Sequence, residues 1–121
     1  MTGSAQFEIF DDDFQRILGP TPDLKLLADS LTFAEGVCWV PLKNKVIVSD
    51  LPNNRIVSWS ESEGFGIYRE PSECSNGNTI DLEGRIISCL TRGRAVVREE
   101  HDGSITTVAD SFDGGKLTSP N

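Results

Sequence analysis

The chain has 121 residues, enough for one ordinary domain with a core of its own. With 19 acidic against 11 basic side chains and a formal charge of −8, its surface repels phosphate backbones and anionic lipid, which argues against nucleic acid or a membrane surface as partner and suits a cation. Three cysteines, Cys38, Cys74 and Cys89, form no CxxC pair, so neither a disulfide framework nor a zinc knuckle is indicated and the thiols are read as reduced and mostly buried.

Residues 1–6 are small and polar, with no basic segment followed by an apolar one, and read as a disordered or irregular tail. No stretch approaches the roughly eighteen apolar residues of a membrane span, so a cytoplasmic location is expected. From Phe7 to Leu18 the apolar residues Phe10, Phe14, Ile17 and Leu18 recur at helical spacing. Asp11, Asp12 and Asp13 stand near the start, where a helix favours negative charge, and Gly19-Pro20 stops it. The acidic triplet lacks the glycine and distal glutamate of a calcium loop and reads as a helix start. Pro20 and Pro22 then carry the chain in extended form to Leu24–Leu27, which has the look of a first strand.

Beyond this point the chain becomes runs of four to six β-prone residues separated by Gly, Asn, Asp, Ser and Pro. Strands are expected at 36–40, 46–50, 55–59, 66–69, 78–81, 85–89, 95–99 and 105–109, an all-β pattern. The division is therefore a tail and short helix over 1–23 and a sheet region over 24–121.

The sheet region repeats itself. Ile47-Val48-Ser49 and Ile86-Ile87-Ser88 are 39 apart, as are Arg55 and Arg94, Val57 and Val96, Glu63 and Asp102, and Gly64 and Gly103. Upstream the register slips by two, aligning Glu35 with Asn76 and Gly36 with Gly77, and Ser119-Pro120-Asn121 opens a third copy with Asn121 at the same position. A repeated four-stranded unit of about forty residues marks a β-propeller blade. A sandwich of look-alike strands gives no reason for repeated offsets. A propeller closes with about four blades or more, whereas this sequence holds two and the opening of a third. It therefore reads as an N-terminal fragment, expected not to form a monodisperse stable monomer by itself.

In a propeller the first strand of each blade lies nearest the axis, so the residues opening those strands converge. Here they are Glu35, Asn76 and Asn121, oxygen donors without sulfur or imidazole, which favour Ca²⁺, Mg²⁺ or Mn²⁺ over Zn²⁺. His101 falls in the turn His101-Asp102-Gly103 at a blade's outer edge and is expected to face solvent. The cysteines sit in or beside strands and read as core.

Ala34-Glu35-Gly36-Val37-Cys38-Trp39, the run from Ser49 to Ile56, Ser75-Asn76-Gly77-Asn78-Thr79-Ile80-Asp81 and Leu117-Thr118-Ser119-Pro120-Asn121 together resemble the gluconolactonase, senescence marker protein and luciferin-regenerating enzyme family. The resemblance implies a six-bladed propeller, of which this chain covers about two blades, and hydrolysis of a small-molecule lactone assisted by one divalent cation, with Ca²⁺ first and Zn²⁺, Mn²⁺ or Mg²⁺ as alternatives. It implies Glu35 as metal ligand, Asn121 beside both metal and substrate, and the proton-transfer group in later blades. The aligned opening Asn76 is a substrate-binding candidate. The implied lactonase would be inactive as this fragment, and a non-catalytic propeller serving as a binding module is the alternative. Relatives often carry Glu-His-Gly where this chain has Leu90-Thr91-Arg92, which leaves substrate choice open. Arg92 and Arg94 would add positive charge near that rim.

Overall fold

The computed structural model describes residues 7–20 and 22–121; the N-terminal tail read at residues 1–6 lies outside the described residues. Helix α1 spans Asp12–Leu18, shorter than the periodicity predicts. Asp11 adopts extended backbone and its carboxylate accepts the Asp13 N–H at 2.8 Å, so this cap, not Phe7, fixes the start. Gly19 ends the helix at φ 73°, donating its N–H to the Gln15 carbonyl. No α1 residue is buried.

Two four-stranded antiparallel sheets follow, each in simple sequential order. The first holds β1 (Ala34–Val40), β2 (Lys45–Asp50), β3 (Arg55–Ser60) and β4 (Gly64–Arg69). The second holds β5 (Ser75–Ile80), β6 (Ile86–Leu90), β7 (Ala95–Glu99) and β8 (Ile105–Ala109). A small hairpin, β9 (Ser111–Phe112) and β10 (Gly115–Lys116), comes after. Each of the eight strands expected from 36 onward is present, with ends differing by up to three residues.

Leu24–Leu27 is not a strand. Residues 25–28 with Leu31 lie over the face of the first sheet, enclosing with Val46, Val48, Val57, Trp59 and Phe65 an apolar cavity of about 260 Å³. A sheet face offers side chains rather than backbone donors and acceptors, so this strap has no ladder to join. Lys25 lies over the Trp59 ring at 5.7 Å.

The main core lies between the sheets, where Val40, Ile47 and Ile56 of the first meet Ile86 of the second, with Cys38, Tyr68 and Ile80 packed against them. Burying each such aliphatic side chain is worth about 1.5–3 kcal/mol. The cysteines are free but only half-buried, less than expected.

Strand pairing corrects the repeat. Asp50 pairs with Arg55 and Leu90 with Ala95; Val57 pairs with Ile67 and Val97 with Thr107. The pairing of third with fourth strand shifts at Ile56/Val57 and at Val96/Val97, where the fourth strands carry the extra residues Tyr68 and Val108, and left-handed Asn54 and Arg94 occupy matching turns. These equivalences are all 40 apart rather than 39. Ile47 and Ser49 look toward the second sheet, while Ile86 and Ser88 look back toward the first; their sequence likeness follows the shared core they enter from opposite sides. A one-residue slip in a strand exchanges its faces. At the first strands the offset of 41 holds: Ala34 pairs with Asp50, Ser75 with Leu90, and both strands are bulged immediately afterwards.

Candidate metal and substrate site at the strand openings

The openings of β1 and β5 are drawn together by a small residue. Gly36 has φ 54°, and a Cβ added there would lie 2.0 Å from the Asn76 carbonyl oxygen, so only glycine allows this approach. The next step repeats the arrangement: a Cβ on Gly77 would lie 3.0 Å from Asn121 Oδ1 and 3.2 Å from the Asn121 carbonyl carbon. Asn76 is thus seated against the glycine that follows Glu35, and Asn121 against the glycine that follows Asn76. The three predicted residues stand in series along the inner edge.

Asn78, which sequence reasoning passed over, locks the series. Its Nδ2 donates to the Gly36 carbonyl at 2.9 Å and to Ser49 Oγ at 2.8 Å, and its Oδ1 accepts from Ser88 Oγ at 2.6 Å and Ser75 Oγ at 3.2 Å. Ser49 Oγ in turn donates to the Asn76 carbonyl at 2.8 Å. Both ends of the Asn78 amide and the Asn76 backbone are therefore satisfied, and the openings are held by side chains from β2, β5 and β6. The signal available in sequence was small polar residues at inward strand positions, where aliphatics are the rule.

The Asn76 side chain is different. Its Nδ2 donates to Thr91 Oγ1 at 3.5 Å, whereas its Oδ1 is the one buried side-chain polar atom among the described residues without a hydrogen-bond partner. A buried carbonyl left unpaired costs about 1–3 kcal/mol, so a cation or an N–H or O–H donor suits this place. Glu35 is half-buried and lines a hollow of about 270 Å³ with Ala34, Gly36, Val37 and Val48. Asn121 is exposed and shares one of about 220 Å³ with Gly77, Thr79, Ile87 and Cys89. Burial pushes the Cys89 thiol up, which keeps it protonated and unreactive at neutral pH.

No three His, Cys, Asp or Glu side chains cluster among the described residues. A cation here would draw on one carboxylate and on amide oxygens, a hard set that fits Ca²⁺ best. The orphaned Asn76 carbonyl is the observation consistent with that fit.

The neighbouring motif, by contrast, is structural. Asp50 is fully buried, and its carboxylate accepts the Thr32 and Phe33 N–H groups, Asn53 Nδ2 at 2.8 Å and Arg55 Nε at 2.9 Å. Burial alone would push its pKa up; the hydrogen bonds from Asn53, Arg55, Phe33 and Thr32 outweigh this and hold it below the usual carboxylate value. The cluster ties the chain entering β1 to the turn between β2 and β3. Arg94 is likewise committed, donating to the Leu117 carbonyl at 2.6 Å, so it anchors the approach to Asn121 rather than adding free charge at the rim. Arg92 is exposed. His101 is exposed, on a cleft with Leu42, Lys43, Glu99 and Glu100. No helix among the described residues is long and apolar enough to cross a membrane.

Successive four-stranded antiparallel sheets, packed face to face with their first strands adjacent, are blades of a β-propeller. Within that class, residues 33–121 match the SMP-30/Gluconolactonase/LRE-like region, and the chain belongs to this family. It is similar to a structural-genomics crystal structure assigned as a gluconolactonase, at 38% identity and TM-score 0.76 over 80% of this chain and 34% of that one. It is also similar to a gluconolactonase from Xanthomonas campestris described as important in glucose secondary metabolic pathways, at 29% identity and TM-score 0.74 over 78% of this chain and 32% of that one. A gluconolactonase from Zymomonas mobilis is 26% identical over the whole of this chain, which covers 38% of it. The chain thus spans about a third of the length of these relatives.

Proposed function

We propose that this chain forms the opening blades of a metal-dependent lactonase and contributes part of its site, without hydrolysing a lactone on its own. The observation that carries the reading is Asn76 Oδ1, a buried acceptor without a partner at an opening equivalent to that of Glu35. Family membership and the gluconolactonase relatives support it.

In this reading Glu35 and Asn121 hold one divalent cation, Ca²⁺ by the hardness of their oxygens, with Asn76 and Asn121 facing the substrate. When bound, the cation supplies Lewis-acid polarisation of the lactone carbonyl and a lower pKa for water. Glu35 contributes the negative charge that selects a cation over a neutral donor. Asn76 accepts a hydrogen bond from a substrate O–H, an interaction that orients the ring without moving a proton. Gly36 and Asn78 keep these groups in place before any ligand arrives, and such preorganisation is what a hydrolytic site requires.

The test is lactone hydrolysis by full-length protein carrying these blades, supplied with Ca²⁺, Mn²⁺ or Zn²⁺. Acid release from glucono-1,5-lactone is expected, with Glu35→Gln abolishing it and weakening cation binding at least about tenfold. The isolated chain is expected to be inactive. An inert full-length protein whose cation affinity ignores Glu35→Gln would leave a non-catalytic binding propeller.

A further inference from the structure

We propose that Arg94 is a positioning residue for Asn121: its guanidinium holds the chain that brings Asn121 to its opening and so sets how tightly the site takes a divalent cation; the proposal rests on the lactonase reading above. The first observation is a backbone outlier. Arg94 is left-handed at φ 53° in the turn between β6 and β7. That conformation crowds every side chain, and asparagine tolerates it better than arginine does. The matching turn of the first sheet places Asn54 there, at φ 52°. An arginine in this place carries strain that glycine would not, and strain of this kind persists where the surroundings hold a residue to a task.

The second observation is what the two turn residues hold. Ser72 stands four residues before Asn76, and its N–H donates to the Asn54 carbonyl at 2.9 Å, while the Cys74 N–H donates to Asn54 Oδ1 at 2.8 Å. Leu117 stands four residues before Asn121, and its carbonyl accepts from Arg94 Nε at 2.6 Å, with Arg94 Nη2 donating to the Lys116 carbonyl at 3.4 Å. In both cases the turn of one sheet grips the approach to the next opening. The second approach carries the inserted hairpin β9–β10, and a long side chain spans to it where a short one serves the first. A guanidinium only donates and a carbonyl only accepts, so the sense of the Arg94 contacts is fixed. The Leu117 N–H is spent within the approach, on the Asp110 carbonyl at 3.0 Å. Asn121 itself is exposed, lies against Gly77 and lines the hollow it shares with Thr79, Ile87 and Cys89, where a ligand can meet it. An exposed amide takes its place from the chain that carries it. If that chain is loosened, only the fraction of molecules with the amide in place binds, and the apparent Kd rises accordingly.

The experiment compares wild type with Arg94→Gly in a full-length protein carrying these blades. Glycine accepts the left-handed turn, so the change removes the guanidinium and leaves the turn. The urea midpoint is expected to stay within about 0.3 M of wild type, relief of strain offsetting the lost surface hydrogen bonds. Ca²⁺ binding, read by calorimetry, is expected to weaken about tenfold. With Ca²⁺ in excess, kcat on glucono-1,5-lactone is expected to return to within about twofold of wild type, because mass action refills a site whose ligand is displaced. Amide hydrogen exchange in the metal-free protein is expected to quicken over residues 117–121 and to stay unchanged over β5. Unaltered Ca²⁺ affinity, unaltered exchange, a midpoint that falls together with the affinity, or a kcat that excess Ca²⁺ does not recover would overturn the assignment. If wild type binds Ca²⁺ but hydrolyses no lactone, the lactonase reading fails and affinity and exchange decide for Arg94: tenfold weaker binding with faster exchange keeps it as the positioning residue, and equal values remove it. A wild type that binds no Ca²⁺ overturns both.

Discussion

Two carboxylates fifteen positions apart in the first sheet meet opposite fates. Asp50 is fully buried and accepts from two backbone N–H groups, an amide and a guanidinium. Glu35, only half-buried, has no basic side chain paired with it among the described ion pairs. The first carboxylate is consumed in holding the fold. The second carries no such set of partners. A carboxylate inside a matching motif is therefore no guide to a site until its partners are counted, since a saturated acid has no capacity left for a ligand.

The contrast can be broken in order of severity, by urea melts of a full-length protein carrying these blades. Gly36→Ala is expected to be the most damaging change, at 4 kcal/mol or more (order of magnitude, about the upper end for single substitutions), because its Cβ would meet the Asn76 carbonyl oxygen at 2.0 Å and its φ is 54°. A wild-type midpoint would show that the inter-sheet approach is looser than described. Asp50→Ala should cost about 3–5 kcal/mol, the loss that follows when one member of a buried pair is removed. Asn78→Leu should cost about 2–3 kcal/mol, since it takes away the amide oxygen to which the Ser75 and Ser88 hydroxyls donate. Glu35→Gln is expected to change stability by less than about 0.5 kcal/mol, although it removes activity and cation affinity from the full-length protein. Similar stability losses from Asp50→Ala and Glu35→Gln would erase the distinction.

Acid sharpens the same comparison. The folded pKa of Asp50 lies below its ordinary value, as does that of Glu99, which burial pushes up but which Tyr68 and Arg69 hold down more strongly. A depressed carboxylate contributes stability that is complete above its unfolded pKa, about 3.9 for Asp and 4.3 for Glu, and that is lost as pH falls through the lower folded value. The wild-type urea midpoint should therefore drop between pH 5 and pH 3, and the drop should be smaller in Asp50→Ala. An unchanged pH dependence in that variant would mean Asp50 is not the group titrating.

Much of this architecture was legible in sequence because strands announce themselves through alternation and turn residues. Ala95–Glu99 and Ile105–Ala109 fall where predicted. The repeat was legible but misregistered by one, since Ile-Val-Ser and Ile-Ile-Ser resemble each other through the core they share and not through equivalent places in their sheets. Leu24–Leu27 misled because an apolar run reads alike whether it joins a ladder or lies across a face. At the site, the openings at Glu35, Asn76 and Asn121 were visible from the repeat. Asn78 was not, because its role depends on contacts with Gly36 and Ser49 that only folding creates.

Gly36 also bears on the shape of the assembly. At the inner edge the two sheets are separated by a residue without a side chain, while from the outer strand β4 Tyr68 and Arg69 reach across to Glu99. A pair of plates thin at one margin and thick at the other is a wedge. Wedges set side by side turn through a constant angle and close on themselves, so the glycine that admits Asn76 to the site helps to set the curvature of the ring around it.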